Sequence, residues 1–382
     1  MSKCPLCFAE LPLDKSLFAC LGTCRPVAER DPNLSAYLGT DKQARLFTPL
    51  QRVERGQVLC QRCRQKTEEV CPSCHHPLPD GWRDGETLCV ALAGPRASGK
   101  SNYIAVLVQA LRVLAAGMQA AFDHATPESQ AFYQDSYYKR LYEELGIMDP
   151  TVVMTQIDGP RTPIVLRLKR ANGATTFIVL RDVAGEDLER SSDPRYLEFF
   201  AQASLIIFLF DPRRVPNIRD IIADRLPAGE TGGDPEEVFT HMTRLIGEGR
   251  PRLAIAMSKF DVLWEIGEVA LSTNSGLVQT EILPQAMSNL GAGFRRDNRS
   301  IDIKRVCDDI DLINLEIRSL LAVLNAQNLI TLVKNSGLDA QFFALSALGH
   351  PPDAKKLNEH GIAPYRILDP ILWAMIEEGL LK

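Results

Sequence analysis

One stretch, GPRASGKS at positions 94–101, limits the fold of this 382-residue chain more than any other. It satisfies G-x-x-x-x-G-K-[ST], a phosphate-cradling loop, but eight positions need context. Residues 87–93 before it form a short apolar run suited to a buried parallel strand. Residues 102–116 after it are rich in Leu, Val and Ala and hold no Pro or Gly, as a helix requires. Strand, glycine loop and helix together are the setting in which backbone N–H groups and a helix N-terminus wrap a polyphosphate. Gly94, Arg96, Ala97, Ser98, Gly99, Lys100, Ser101 and Asn102 are the expected nucleotide contacts. Lys100 would reach the β- and γ-phosphates, and the Ser101 hydroxyl would ligate Mg²⁺.

Downstream, residues 163–169 and 176–180 read as two strands around an Asn-Gly turn, a hairpin signal. The second runs into Asp182-Val-Ala-Gly185-Glu186. An acidic residue ending an apolar strand after such a loop suits a magnesium-holding carboxylate, and Gly185 would offer its N–H to a γ-phosphate. Further strands are expected at 205–210, 253–257 and 342–348, with Ser258-Lys259-Phe260-Asp261 and Ser346-Ala347 at strand ends. The aromatic stripe Phe132, Tyr133, Tyr137, Tyr138 and Tyr142 has helical spacing and reads as packing.

In this order the elements resemble the Ras-like GTPases. The resemblance implies an α/β fold, a three-layer αβα sandwich with a mostly parallel sheet. It implies that Lys259 stacks on a guanine, Asp261 accepts from the base N1–H and 2-amino groups, and the Ser346-Ala347 backbone meets O6. Thr155 is the first choice for a switch threonine and Thr151 the second. Two departures stand out: Ser258 replaces an Asn or Thr, which weakens a brace to the loop, and Glu186 replaces a catalytic Gln. A carboxylate there is repelled by the γ-phosphate, so slow hydrolysis or a partner-completed site is expected. Arg96 is a candidate for charge stabilisation in cis.

Eight of the ten cysteines lie in the first 74 residues, as pairs Cys4/Cys7, Cys20/Cys24, Cys60/Cys63 and Cys71/Cys74. Four thiolates per ion give two tetrahedral Zn²⁺ sites. Loop closure favours sequential pairing (first pair with second, third with fourth), with a cross-braced arrangement as the other option. Residues 1–80 hold 11 Lys+Arg and 9 Asp+Glu. Two zinc ions on eight thiolates turn that slight excess negative, so protein docking suits the module better than nucleic acid. The net charge of the whole chain, -5, gives no drive toward polyanions.

The expected division is a zinc module at 1–80, a Pro/Gly-rich linker at 81–86 and a nucleotide domain at 87–382, with a helical insertion at about 262–340. No apolar run reaches membrane-spanning length, and the N-terminus lacks a signal-peptide core, so the expectation is cytoplasmic. Cysteine knuckles followed by GPRASGKS and DVAGE look like the bacterial double-GTPase group of conflict-type systems. That likeness implies GTP/GDP, Mg²⁺ and two Zn²⁺ as cofactors and a protein effector or second GTPase as partner. The competing readings are a zinc-stabilised scaffold with little hydrolysis, a P-loop ATPase and a nucleotide-gated nucleic-acid ribbon.

Overall fold

The computed structural model describes residues 2–24, 29–38, 41–48, 58–148, 162–183, 188, 197–214, 233–263, 302–324, 326–352, 356–359 and 361–381. In the cysteine-rich part the elements are β1 (Leu17–Cys20), β2 (Glu29–Arg30), α1 (Pro32–Leu38), β3 (Gln43–Ala44), β4 (Leu46–Phe47) and β5 (Thr67–Val70). The next run is β6 (Glu86–Ala93), α2 (Lys100–Gly117), β7 (Ala121–His124) and α3 (Pro127–Tyr133). It continues through β8 (Ile164–Lys169), β9 (Thr175–Asp182), α4 (Phe199–Gln202), β10 (Leu205–Phe210) and α5 (Pro235–Ile246). Last come β11 (Arg252–Met257), α6 (Ile303–Val323), α7 (Gln327–Asn335), β12 (Ala340–Ala344) and α8 (Asp369–Glu377).

Seven strands form one sheet in the order β12-β11-β10-β6-β9-β8-β7. The pairs from β12 through to β9 are parallel, and β8 and β7 complete one edge as antiparallel strands. All six residues of β10 and seven of eight in β6 are buried, because central parallel strands are covered on both faces. The β8–β9 hairpin is closed by Gly173 at φ 85°, with the Asn172 side chain accepting from the Ala174 N–H. The sheet has helices on both faces, an α/β three-layer sandwich as expected. Leu88, Val90 and Leu92 of β6 pack with α2 and α8 on one face. Cys89, Ala91 and Ala93 face the other layer, with Phe239 of α5 and Leu329 of α7. The aromatic stripe is packing: Tyr133 and Tyr137 are buried, and α3 continues as a π-helix over Gln134–Glu143.

The cysteine-rich part builds its own sheet, order β4-β1-β5. Residues 81–86 do not act as a free tether. Trp82 there is 1% exposed, stacks on Phe177 of β9 at 4.4 Å and donates its indole N–H to the Lys3 carbonyl. Its burial fuses the chain's start to the large sheet, and Cys4, Leu6, Cys7 and Phe8 share one apolar cluster with β6 and β9.

Candidate functional site

The glycine loop leaves β6 at Gly94, whose φ of 137° no side chain tolerates well. A Cβ there would sit 2.1 Å from the Leu209 carbonyl of β10, so the loop is seated directly on the neighbouring strand. Ala97 and Gly99 also take positive φ, 61° and 87°, and α2 starts at Lys100. The Lys100 ammonium is buried at the centre of the loop, donating to the carbonyls of Gly94 (2.9 Å) and Pro95 (3.1 Å). Ser101 begins the same helical turn, and Arg96 lies exposed on the loop. Asp182 ends β9 and pairs with Leu92 in the ladder to β6, two residues before Gly94. Asn102 accepts from the Met148 N–H at 3.2 Å, tying the helix start to the stretch before residue 149.

The loops after β11 and β12 converge on the same end of the sheet. Ser258 reaches the Ser98 carbonyl at 2.8 Å and the Phe210 carbonyl at 2.9 Å. Its single hydroxyl proton serves one of these at a time. The brace expected to weaken is therefore present: serine is long enough because β11 runs beside β10. Lys259, at φ 50°, extends across the loop with its Cε 3.8 Å from where a Cβ on Gly99 would lie. Its ammonium pairs with Asp211 Oδ2 at 2.9 Å, and Arg213 grips the same carboxylate at 2.6 Å. Burial works against the Asp211 charge, but Lys259 and Arg213 overcome it and hold the carboxyl down at about 2.

Asp261 is buried and accepts from the Ser346 hydroxyl at 2.5 Å, while Ser346 Oγ accepts from the Gly349 N–H at 2.8 Å. Burial raises the Asp261 pKa, and the Ser346 bond counters this. Behind these residues, Tyr365 exchanges backbone hydrogen bonds with Ser346 and stacks its ring on Phe260 at 6.4 Å. Ala347 is half-buried beside them.

The eight cysteines form two groups, Cys4/Cys7/Cys71/Cys74 and Cys20/Cys24/Cys60/Cys63. The pairing is nested, first pair with fourth and second with third, so both the sequential and the cross-braced arrangements are overturned. The cause is the antiparallel β1–β5 ladder, which sets Leu17 against Val70 and Cys20 against Thr67. The end of one strand then meets the start of the other, and the loop cost that favoured sequential pairing changes by only about 0.6 kcal/mol per doubling of length.

Sulfur separations are 3.6 and 3.7 Å in the inner group, 3.5 and 3.9 Å in the outer. Four thiolates at about 2.3 Å around a tetrahedral zinc lie about 3.8 Å apart, so both groups fit the ion. Backbone N–H groups of Leu6, Gly22 and Ser73 point at Cys4, Cys20 and Cys71 sulfurs, which favours thiolates. Three pairs share one turn: Phe8, Arg64 and His75, each just after a ligand, take φ of 58–60° and return their N–H to the first cysteine's carbonyl.

A family model described as Double-GTPase 2 matches residues 88–308. The chain belongs to that family. Over 403 aligned residues covering both chains in full, it is 38% identical to SaeC of Mycolicibacterium smegmatis, a protein named for ESX-1 scaffolding and assembly. The Ski7 GTPase-like domain of S. cerevisiae, bound to GTP, is similar at TM-score 0.29 and 11% identity, over 78% of this chain and 51% of that one. This chain thus spans about half of that structure, a likeness too slight to bear on function.

The structure brings Lys100, Asp182, Lys259 and Asp261 of the double-GTPase match, and Ser346 beyond it, to one end of the sheet. Thr151, Thr155, Gly185 and Glu186 lie outside the described residues. Two residues escaped sequence reasoning. Asp211, which fixes Lys259, had a signal: a carboxylate at the C-terminal end of a buried parallel strand. Arg181 had another, a charge at an inward position of an apolar strand. It is buried, donates to the Leu6 carbonyl at 2.5 Å and lies 3.8 Å over the Phe199 ring. Among the described residues no helix is long and apolar enough to cross a membrane.

Proposed function

We propose that this chain is a Mg²⁺-dependent, guanine-selective GTPase switch that works inside a multi-component protein assembly. One observation carries the guanine reading: the buried Asp261 carboxylate, held through Oδ1 by Ser346, stands beside Lys259 at the same edge as the glycine loop. With Oδ1 oriented in this way, Oδ2 can accept from the N1–H and 2-amino groups of guanine, which adenine does not present. Lys259 covers one face of the base, Ala347 lends its N–H to O6, and Lys100 turns from loop carbonyls to the β- and γ-phosphates.

Ser101 and Asp182 are the residues that would hold magnesium, since the β6–β9 register brings the strand end of Asp182 beside the loop preceding Ser101. Bound there, the ion neutralises charge on the transferred phosphoryl group. Gly94 to Asn102 form the cradle; Thr155, Gly185 and Glu186 would respond to the γ-phosphate, and Arg96 offers charge in cis. Glu186 in the place of a water-orienting amide supports slow turnover without a partner.

The two Cys4 groups would each hold one zinc. The family match supports GTP binding, and the full-length relative's name supports scaffolding within an assembly rather than a defence-type setting. A protein effector or second GTPase is therefore the proposed partner, and the zinc part contributes to that docking. The test is competition of GTP against ATP with Mg²⁺ on wild type and Lys100→Ala. Selective GTP binding, lost in the variant, supports the reading; full affinity and turnover in Lys100→Ala sinks it.

A further inference from the structure

Three consecutive residues, Tyr365, Arg366 and Ile367, bind three different parts of the molecule around the candidate site. Tyr365 exchanges two backbone hydrogen bonds with Ser346, donating at 2.8 Å and accepting at 3.0 Å. Its ring stacks on Phe260, the residue between Lys259 and Asp261. Just before it, the Ala363 N–H donates to the Leu348 carbonyl at 2.9 Å. A Cβ on Gly349 would lie 2.0 Å from the Ala363 carbonyl, so the two stretches are seated directly on each other. On the other side, the Ile367 carbonyl accepts from the Tyr103 hydroxyl at 3.2 Å, in the first turn of the helix that starts at Lys100.

Arg366 is the anchor of this strap. Its side chain is fully buried, with Nε donating to Asp369 Oδ2 of α8 at 2.6 Å and a terminal nitrogen to Asp309 Oδ2 of α6 at 2.6 Å. Burial works against the Arg366 charge, and the Asp369 and Asp309 carboxylates more than offset it. The backbone at Arg366 stands at φ 49°, a left-handed conformation that a β-carbon makes costly. Such a residue keeps that conformation only where its surroundings fix it. Ile367 shares one apolar cluster with Tyr103 of α2, Ile310 of α6 and Ile371 of α8. A buried ion pair need not stabilise more than apolar residues of its size, but its directional bonds hold one geometry.

We propose that Arg366 is a positioning residue for guanine selectivity, holding the 365–367 strap so that Ser346 aims the Asp261 carboxylate. This rests on the GTPase reading above. The line of contact is short: Arg366 fixes Tyr365, Tyr365 fixes Ser346 and Phe260, and the Ser346 hydroxyl holds Asp261 Oδ1. Oδ2 is thereby left to the N1–H and 2-amino groups of the base. Through Ile367 and Tyr103 the same strap keeps the loops after β11 and β12 in register with α2. Released from α6 and α8, the strap no longer sets one position for Ser346, and the carboxylate loses its aim.

The experiment is displacement of a fluorescent GDP analogue from the full chain by GTP and by ITP, both with Mg²⁺. Hypoxanthine lacks the 2-amino group, so the ratio of the two affinities reads how well Asp261 is aimed. Arg366→Met should lower GTP affinity about tenfold and ITP affinity less, so that the ratio falls at least about threefold. Arg252→Met breaks ion pairs with Asp339 and Glu377 at the opposite end of β11, and should lower stability while leaving the ratio unchanged. If Arg366→Met fails to fold, Asp309→Asn, which removes the more exposed of the two carboxylates, should lower the ratio by a smaller factor. A ratio unmoved in the folded variants, or moved equally by Arg252→Met, overturns the positioning role alone. Wild-type protein that binds no guanine nucleotide, or binds GTP no better than ITP, overturns the guanine reading and the positioning role with it.

Discussion

The two cysteine groups have the same ligand set and nearly the same sulfur spacing, yet they sit in different surroundings. Cys4, Cys7, Cys71 and Cys74 belong to the apolar cluster that continues through Phe8 and Trp82 into β6, β9 and α5. Cys20, Cys24 and Cys60 form a small cluster of their own, joined by Phe47 and Cys63. The inner group is packed into the core beneath the large sheet, whereas the outer group lies at the far end of the β1–β5 ladder, in its own small cluster. A zinc module drawn as one unit by its cysteine spacing is, in packing terms, two units with different surroundings.

The sharpest way to break this comparison is to remove one ligand from each group. Structural zinc contributes on the order of 10 kcal/mol to small sites, comparable with the whole stability of a domain. Cys71→Ser should therefore unfold the nucleotide domain and abolish GTP binding, whereas Cys63→Ser should lose one zinc and keep GTP affinity within about twofold. Equal losses in nucleotide titrations of the two variants would end the distinction.

Phenylalanine truncation comes next. Phe8→Ala empties a fully buried contact on Phe199 and should cost about 3–5 kcal/mol in global denaturant unfolding. Phe18→Ala in β1, buried but outside the inner cluster and in contact with Phe47 across the strand, should cost less, about 1–3 kcal/mol. If the two losses match, the outer sheet is as integral as the inner.

A third test lies on the nucleotide side. Asp211 is held at about 2, below the ordinary carboxylate value of about 3.9, so its ion pair adds about 2 kcal/mol when both forms are compared at neutral pH. A depressed carboxylate stabilises the fold above its unfolded pKa and loses that contribution as pH falls through its folded value. Asp211→Asn should thus show a constant deficit from pH 7 to about 4 that shrinks below it. The deficit should add to that of Cys63→Ser, since no contact among the described residues joins the sites. The smallest effect belongs to Arg64, which takes φ 58° in an outer knuckle. Arg64→Gly should stabilise the outer sheet by up to about 1 kcal/mol and leave nucleotide binding alone, readable as slower zinc release.

Much of the fold was legible because its central strands are continuous apolar runs and its glycine loop admits one local geometry. The β8–β9 hairpin followed from Asn172-Gly173, and the strand ends at Met257 and Ala344 from the apolar runs before them. The pairing of cysteines was not legible, since it depends on a β1–β5 ladder between segments about 50 residues apart, and loop entropy discriminates too weakly to replace that knowledge. Nor did the apparent linker reveal itself: Pro and Gly around Trp82 signal irregular backbone, not whether an indole is buried within it. Arg181 was hidden for a related reason, because a strand pattern shows an inward charge but not the carbonyl that receives it.

The measurement that bears most directly on the account is competitive titration of GTP and XTP with Mg²⁺, on wild type and Asp261→Asn. Xanthine carries a carbonyl where guanine carries its 2-amino group, so an amide that donates there should fit it better. The account predicts GTP-selective binding in wild type and a shift toward XTP of at least about tenfold in the variant, or about 1.4 kcal/mol. Binding that ignores the base in both proteins would contradict it, and the loops at 259–261 and 346–347 would then have no part in recognising the nucleotide.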